Sequence, residues 1–386
     1  MSEMPVIYLD NSATTRPYPE VTNKIVDMLT NQYGNPSSLH RLGRESKFEV
    51  EKARRRIART IGADPDDLFF TSGGTEADNL AIKGACLANS SIGNHIITTE
   101  VEHPAVTKTI RDLKKQGWKV SYIPAANGEL NLDELERVIN KETVLVSAML
   151  VQNETGDIFP IQIIKQIIDT KNSSALLHCD AVQGYGKLPF TVDTLGADLI
   201  SISAHKIHGP KGVGALYAKK GTKIFSIMFG GGQERGLRSG TENTAFIAGF
   251  GEAARITFDN MERNAVHMAE LRNYCQKFLK EHLPGAVLNS STDGAPHIVN
   301  LSLPGHTSKN VIEFLDEKGI CISSAASCKS NHSRGPSVLE SLGLSREMAD
   351  SALRISFSYE NTKAEIDILI KELSTYVNLK EHTACC

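Results

Sequence analysis

Two side chains in the middle of this chain could together hold a reactive cofactor. Lys206 follows the apolar run 197–202 and stands beside His205, and Asp180 ends an earlier run, 176–180. Taken alone, Lys206 would be an exposed loop lysine. Lysines are rarely buried, however, and one use of a buried amine is to form a Schiff base. A pyridoxal phosphate site needs both groups: an amine for the aldehyde and a carboxylate for the pyridinium nitrogen.

Other polar residues follow apolar runs in the same way. Strand-like runs at 67–71, 95–99, 119–123, 144–149, 175–178, 199–203 and 214–218 alternate with amphipathic segments such as 105–116 and 132–139. This alternation predicts a mostly parallel sheet covered on both faces, in which ligands gather at the carboxyl ends of the strands. Five candidates follow runs at that edge: Gly73, His103, Asn153, Asp180 and His205. Their shared position predicts a common site.

A glycine-rich turn between a strand and a helix could bind an anion. Residues 71–77 include Gly74 and Thr75, and small residues before a helix expose backbone N–H groups to a phosphate. The alternative is a turn that binds nothing, since the pattern matches neither a P-loop nor a dinucleotide fingerprint. His103 is a candidate to stack on a ring or to move protons, although a lone histidine is most often structural. Asn153 follows a strand in the same way, and it has a functional role only if its neighbours in space form a site.

Two loops carry further candidates. The glycine-rich segment 230–241 is either a mobile surface loop or backbone that approaches a ligand or another subunit. The small, polar segment 323–330 contains Cys328, with Lys329 and further cations close in sequence that could lower its pKa. On the loop alone, a bystander cysteine is favoured over a nucleophile. A nearby cofactor reverses that order, because the thiol would then have a target.

Composition limits the class of protein. The chain has 386 residues, of which 40% are hydrophobic and 23% charged, which predicts a soluble protein of about two domains. Its formal net charge of -3 gives no reason to expect a nucleic-acid partner. We expect no signal peptide and no membrane span. The seven cysteines lack disulfide or zinc-finger spacing, which favours the cytoplasm. Two pairs of residues could be metal ligands: His205 with His208, and His178 with Cys179. Neither pair is followed by a third and fourth ligand at a familiar spacing, so no metal is expected.

Together the motifs resemble the cysteine desulfurase family, pyridoxal phosphate enzymes of the class V aminotransferase group. The resemblance runs from Tyr8 to Ser356, nearly the whole chain, and rests on motifs at 8–15, 34–38, 71–77, 102–103, 153–156, 180–183, 203–212 and 238–241. It implies an α/β structure of fold type I, with a mostly parallel seven-stranded sheet in a large domain and a smaller α+β domain. We expect the large domain at 16–260. The small domain, with the cysteine loop, would comprise 1–15 and 261–386.

The resemblance also implies a role for each matching residue. Lys206 resembles the Schiff-base lysine, and Cys328 the nucleophile that becomes a persulfide. The other roles are a ring-stacking acid/base at His103, a pyridinium partner at Asp180, a donor to the ring hydroxyl at Gln183, and phosphate ligands at Gly74, Thr75, Ser203 and His205. Thr241 resembles a phosphate ligand given by the neighbouring subunit, which implies a homodimer. Asn153 and Arg354 resemble the clamp on the substrate carboxylate, with Asn11 nearby.

Departures from the family pattern leave the substrate and the sulfur acceptor open. Residues 325–327 read Ala-Ala-Ser where the family commonly has Gly-Ser-Ala, and 328–332 resembles the Cys-x-Ser-x-His run of selenocysteine lyases. The leading hypothesis is conversion of L-cysteine to L-alanine, with the sulfur left on Cys328. The alternatives are a selenocysteine lyase, another pyridoxal phosphate reaction such as transamination, and a sulfur-trafficking scaffold with Cys385 and Cys386 as relay. Open acceptors are an iron–sulfur scaffold, a tRNA thiolation carrier and a DNA-phosphorothioation system.

Overall fold

The structure is a computed structural model that describes residues 6–171, 173–324 and 337–384, with side chains to residue 380. Its strands are β1 Ile7–Tyr8, β2 Leu68–Thr71, β3 His95–Thr99, β4 Lys119–Ile123, β5 Ala125–Ala126, β6 Glu129–Leu130, β7 Thr143–Met149, β8 Leu176–Asp180, β9 Leu199–Ser203, β10 Gly214–Ala218, β11 Val287–Leu288, β12 Ile298–Ser302, β13 Ile320–Cys321, β14 Ser323–Ser324 and β15 Ala352–Ser356. Its helices are α1 Pro19–Thr30, α2 Arg41–Thr60, α3 Gly74–Ala88, α4 Pro104–Lys115, α5 Leu132–Val138, α6 Ile161–Thr170, α7 Val192–Leu195, α8 Thr244–Asp259, α9 Met261–His282, α10 Ser308–Asp316, α11 Val338–Ser341, α12 Arg346–Asp350 and α13 Lys363–Ala384.

A seven-stranded sheet forms the centre of the larger part of the molecule, in the order β2-β10-β9-β8-β7-β3-β4. Strand β10 is antiparallel to both of its neighbours, and the remaining strands run parallel. The fold-class prediction is therefore confirmed. Each predicted run became a strand of this sheet, with ends that shift by no more than a few residues.

Both faces of this sheet are buried, which explains why its strands are continuous apolar runs. Ile96 and Leu145 pack into the core formed with α3 and α4. The next residues, Ile97 and Val146, point to the opposite face and join the core formed with α2, α6 and α8. Successive side chains of a strand alternate between faces, so a sheet covered on both sides needs apolar residues at successive positions.

A second, four-stranded antiparallel sheet, in the order β11-β12-β15-β14, has a hydrophobic core of its own with α9, α10 and α13. The N-terminal strand β1 joins this part of the molecule through β13, because Ile7 pairs with Ile320. The domain boundaries given above remain a prediction. The catalytic loop predicted around Cys328 lies outside the described residues.

In the part of the chain that the structure describes, no helix is both long enough and apolar enough to cross a lipid bilayer.

Candidate active site

A cavity of about 270 Å³ opens at the carboxyl ends of β7, β8 and β9. It is lined by Ala13, Gly74, Thr75, Asp78, His103, Met149, Val151, Asn153, Asp180, Val182, Gln183, Ser203, His205 and Lys206. A wider cavity of about 500 Å³ adjoins it at the start of α3, where it also meets Lys211 and Gly212. Parallel strands end at one edge of the sheet, and this shared edge is what brings residues from distant parts of the sequence together.

Lys206 ends a short 3-10 turn, Ala204–Lys206, directly after β9. Its Nζ donates hydrogen bonds to the backbone carbonyls of Ser12 and Ala13. Burial lowers the pKa of this amine to about 8, and the positive charge of Arg354 contributes to the same effect. A lysine with such a pKa is partly neutral near physiological pH, and only the neutral amine is a nucleophile.

Asp180 and His103 face the same cavity. Asp180 ends β8, and its Oδ1 accepts a hydrogen bond from the backbone N–H of Val182 at 3.0 Å. Burial raises the pKa of Asp180 to about 6, and the nearby acidic group of Asp78 adds to the shift. His103 caps α4, where its Nδ1 accepts from the backbone N–H of Ala105 at 3.1 Å. Burial lowers the pKa of His103, so its neutral ring carries the proton on Nε2.

The entrance of α3 fits an anion. Gly74 begins the helix, and a Cβ at this position would lie 2.8 Å from Cγ2 of Val182, so the close approach needs glycine. The hydroxyl Oγ of Ser203 is buried and has no hydrogen-bond partner among the described residues. His205 contacts Thr14 at 3.2 Å through Nδ1, and burial lowers the pKa of its ring to about 4. A neutral His205, an orphaned hydroxyl and a helix N-terminus together suit a phosphate group.

Gln183 has a defined orientation. Its Nε2 donates to the carbonyl of Ser12 at 2.9 Å, and its Oε1 lies 3.4 Å from Nε2 of the buried His297. The amide nitrogen, a donor, therefore lies on the Ser12 side at the cavity wall. This geometry is compatible with donation to a polar atom of a ligand.

Arg354 lies on β15, behind Asn153, and is almost fully buried. One terminal nitrogen donates to the carbonyl of Asn153 at 2.9 Å and to Glu154 at 3.3 Å, and the other donates to Asp10 at 3.1 Å. Its Nε has no partner among the described residues. Two carboxylates hold the guanidinium in place, so a planar fork stands ready near the cavity.

Two further predicted site residues, Thr241 and Asn11, line neither cavity. Thr241 is exposed and lines neither cavity of the single chain. Asn11 is buried, and its amide donates to the carbonyl of Ser356 at 3.0 Å and to Asn361 at 3.1 Å. Cys328 is outside the described residues. Their roles in binding and catalysis therefore remain predictions.

The glycine-rich segment 230–241 is anchored to the large sheet by a buried ion pair. Glu234 accepts hydrogen bonds from both terminal nitrogens of Arg54, at 2.7 and 2.8 Å, and from the backbone N–H of Phe70 at 2.7 Å. Glu234 and Arg235 have positive φ angles of 47° and 55°. A loop tied down at its middle can present its far end, around Thr241, in a fixed place.

Two buried acids at the site did not emerge from sequence reasoning. Asp78 lines the cavity from α3, and Glu102 lies behind Met149, whose backbone N–H donates to Glu102 at 2.9 Å. The available signal was position: Asp78 follows the glycine-rich turn by four residues, and Glu102 immediately precedes His103. Aspartate and glutamate are almost never fully buried without a partner, however, so burial of Asp78 and Glu102 was not predicted.

Comparisons with known proteins agree with this geometry. The family described as Aminotransferase class-V matches residues 7–369. A cysteine desulfurase IscS of Clostridium botulinum (strain Hall / ATCC 3502 / NCTC 13319 / Type A) is 41% identical over 371 residues, which cover 95% of this chain and 93% of that protein. The solved structure of a NifS-like protein is 37% identical with a TM-score of 0.92, over 97% of this chain and 100% of that one. The structure of SspA in complex with cysteine is 31% identical with a TM-score of 0.79, over 92% of this chain and 100% of that one.

Proposed function

The chain belongs to the class V aminotransferase family, and we propose that it is a pyridoxal phosphate-dependent cysteine desulfurase. It converts L-cysteine to L-alanine and passes the sulfur to an acceptor through an enzyme persulfide. One observation carries this proposal: the amine of Lys206 stands in one cavity with Asp180, and close to Arg354. An amine, an acid for a ring nitrogen and a fork for a carboxylate are the groups that amino-acid chemistry on this cofactor requires.

The residues present fit the cofactor. Asp180 would hold the proton of the ring nitrogen, Gln183 would donate to the ring hydroxyl, and His103 would cover the ring. The phosphate would lie at the start of α3, with Gly74, Thr75, Ser203 and His205 as ligands. When bound, pyridoxal phosphate draws electrons from the α-carbon of an amino acid. We propose that Thr241 completes the phosphate site of a second copy, so the working enzyme is a homodimer.

The substrate would be held by its carboxylate, and Lys206 and Cys328 would carry out the chemistry. Arg354 and the amide of Asn153 would bind the two carboxylate oxygens, with Asn11 supporting that wall of the site. Lys206 would take the proton from the α-carbon and return it there after the sulfur has left. The thiolate of Cys328 would attack the substrate sulfur, so a sulfur–sulfur bond forms while the bond from sulfur to Cβ breaks. The released electron pair takes a proton at Cβ and gives alanine, and an acceptor thiol then takes the sulfur from Cys328.

The experiment that tests this function is an assay of the purified, cofactor-loaded protein with L-cysteine and a thiol reductant. Alanine and sulfide should form in equal amounts. Parallel assays with L-selenocysteine measure which of the two substrates the enzyme prefers. Pyruvate or a keto acid in place of alanine would replace the proposal with a lyase or transaminase activity. The absence of any product from a cofactor-loaded protein would favour a sulfur-trafficking scaffold.

Arg354→Lys should raise the KM for L-cysteine by about 10- to 100-fold, because an ammonium cannot reproduce a planar fork held between two carboxylates. The visible spectrum of the bound cofactor should stay normal, since Arg354 does not line the cofactor cavity. Steady-state kinetics and absorbance measure both effects. Arg346→Lys is the matched control, because the Arg346 side chain is 83% exposed. A KM equal to that of this control would remove Arg354 from substrate binding.

Capture of the cofactor by the cofactor-free protein should accelerate as the pH rises through about 8. Burial lowers the pKa of Lys206 to about 8, so its amine is protonated and unreactive below that value and neutral above it. Of the other groups that line the cavity, His103 has a pKa lowered by burial, Asp180 a pKa of about 6 and Asp78 a pKa of about 7, so none accounts for a step near 8. Glu102 has a pKa raised to about 8 but lines neither cavity, so it does not react with the cofactor. Stopped-flow absorbance follows the reaction. A midpoint near that of a free lysine, about 10.4, would show that the site does not tune this amine.

A further inference from the structure

Asp78 lines the cavity of about 270 Å³, here called the inner cavity, from α3. The reaction proposed above gives Asp78 no role. It is 1% exposed. Among the described residues no lysine or arginine forms an ion pair with it, and the nearest basic group is His178, whose Nε2 lies 3.5 Å from Asp78 Oδ1. Burial lowers the pKa of His178 to about 4, so this histidine is neutral and supplies no charge. A buried carboxylate without a cation is unfavourable.

Further acids stand close to Asp78. One side-chain atom from each of Asp78, His103 and Asp180 lies within 4.8 Å of the other two. Glu102 is also fully buried, and its Oε2 has no hydrogen-bond partner in the described part of the chain. Like charges this close in a buried site oppose each other, so the carboxyl groups cannot all be ionised together.

The hydrogen bonds distinguish the two acids that line the cavity. Asp180 accepts a backbone N–H, which stabilises its charged form. The Ser201 hydroxyl, the hydrogen-bonding neighbour of Asp78, lowers the pKa of this acid in the same way, but burial has the larger effect, and Asp78 Oδ1 is buried without a partner among the described residues. The Oγ of Ser201 also lies 3.0 Å from Nε2 of His178. On the other side of the ring, Nδ1 of His178 lies 2.9 Å from Oγ of Ser147. This row of side chains runs beneath Asp180, because His178 and Asp180 point to the same face of β8.

We propose that Asp78 carries a proton in the working enzyme and is a positioning residue for Asp180. As a neutral acid, it would leave Asp180 the single negative charge beside the ring nitrogen, and through Ser201 it would keep His178 and the end of β8 in place. The assignment to Asp180 rests on the proposed function; the proton on Asp78 does not.

The direction of the pKa shifts agrees with this geometry. Burial raises the pKa of Asp78 to about 7 and that of Asp180 to about 6. Glu102, which faces them from behind β7, has its pKa raised by burial to about 8. Of the other titratable groups that face the cluster, His103 and His178 have lowered pKa values and are neutral, whereas Lys206, with a pKa of about 8, is a cation whose charge acts on Asp180. Of the two acids of the cavity wall, Asp78 has its pKa raised further, so Asp180 loses its proton first as the pH rises.

Infrared spectroscopy of the cofactor-free protein near pH 6 tests the proton directly. Asp78→Asn should remove a carboxylic-acid C=O stretch, because the asparagine replaces a protonated carboxyl of the same shape. Glu102→Gln is the matched control, since it should remove a separate band that arises from the other buried acid. If Asp78→Asn instead removes a carboxylate stretch and leaves the acid bands unchanged, Asp78 is ionised and the inference is wrong. This measurement needs no cofactor, so it decides the proton even if the proposed function fails.

Cofactor binding tests the positioning role. Asp78→Asn should keep the dissociation constant for pyridoxal phosphate within about twofold and the visible spectrum unchanged, because it keeps a neutral hydrogen-bonding group. Asp78→Leu should weaken binding about tenfold and shift the visible spectrum, since Ser201 and His178 lose their neighbour. Binding by Asp78→Leu that equals wild type would remove the positioning role, as would Asp78→Asn binding as weakly as Asp78→Leu. If Asp78→Leu does not fold, Asp78→Asn still decides between a neutral and a charged Asp78.

Discussion

Lys206→Ala is expected to lower the rate of alanine formation from L-cysteine by about 10³- to 10⁶-fold. Two functions are lost at once, because the amine both bonds to the cofactor aldehyde and moves the α-proton of the substrate. No other lysine lines the inner cavity among the described residues, so none can replace it. The visible band of the bound cofactor should change as well, since the amine that it contacts is gone. Initial rates and absorbance measure the two effects on one sample.

Lys219→Ala is the matched control for this substitution. Lys219 is exposed and follows β10, the strand next to the one that precedes Lys206, but it lines neither cavity. It should keep wild-type turnover and spectrum. If Lys206→Ala kept more than about a tenth of the wild-type rate, Lys206 would not be the amine of the reaction.

Cys328→Ser is expected to separate cofactor binding from sulfur transfer. The variant should bind pyridoxal phosphate and L-cysteine normally, because the described residues of the cavity already supply the amine, the acid and the proposed phosphate ligands. Sulfide release should fall by at least about 10²-fold, since a hydroxyl is a far weaker nucleophile than a thiolate near neutral pH. Spectral titration with L-cysteine measures binding, and sulfide release in the presence of a reductant measures transfer.

The pair Cys385→Ser with Cys386→Ser is the matched control, because it removes the two tail thiols that could serve as a relay. This double variant should retain wild-type activity. An active Cys328→Ser together with an inactive tail variant would assign the nucleophile to the tail. Loss of activity in both would indicate that the sulfur passes through Cys328 and then the tail.

The large sheet could be predicted from sequence because its strands are buried on both faces. The runs 95–99 and 199–203 coincide with β3 and β9, since a strand with two buried faces leaves a continuous apolar signal that ends sharply at polar residues. Helices α1, α2 and α8 did not stand out, although α2 and α8 pack closely on the sheet. The single apolar stripe of α2 is diluted by charged residues on its outer face, which hides it in a linear reading.

Some residues of the site could be predicted from the sequence and others could not. Lys206 and Asp180 could be predicted because Asp180 ends β8 and Lys206 follows the end of β9 by three residues, at the same edge of the sheet. The partners of Arg354 could not, since Asp10 is 344 residues away in sequence and joins it only after β1 pairs with β13. Asp78 was missed for a related reason. Its place beneath Asp180 depends on how α3 packs across β8 and β9, and periodicity in one segment carries no information about that packing.

The most direct test of the account is mass spectrometry of the wild-type, cofactor-loaded protein after one exposure to L-cysteine without a reductant. We predict one added sulfur atom on the peptide that contains Cys328, together with one alanine released per site, and neither in Lys206→Ala. Added sulfur on the peptide with Cys385 and Cys386 but none on Cys328, or alanine released with no sulfur on the protein, would contradict the account.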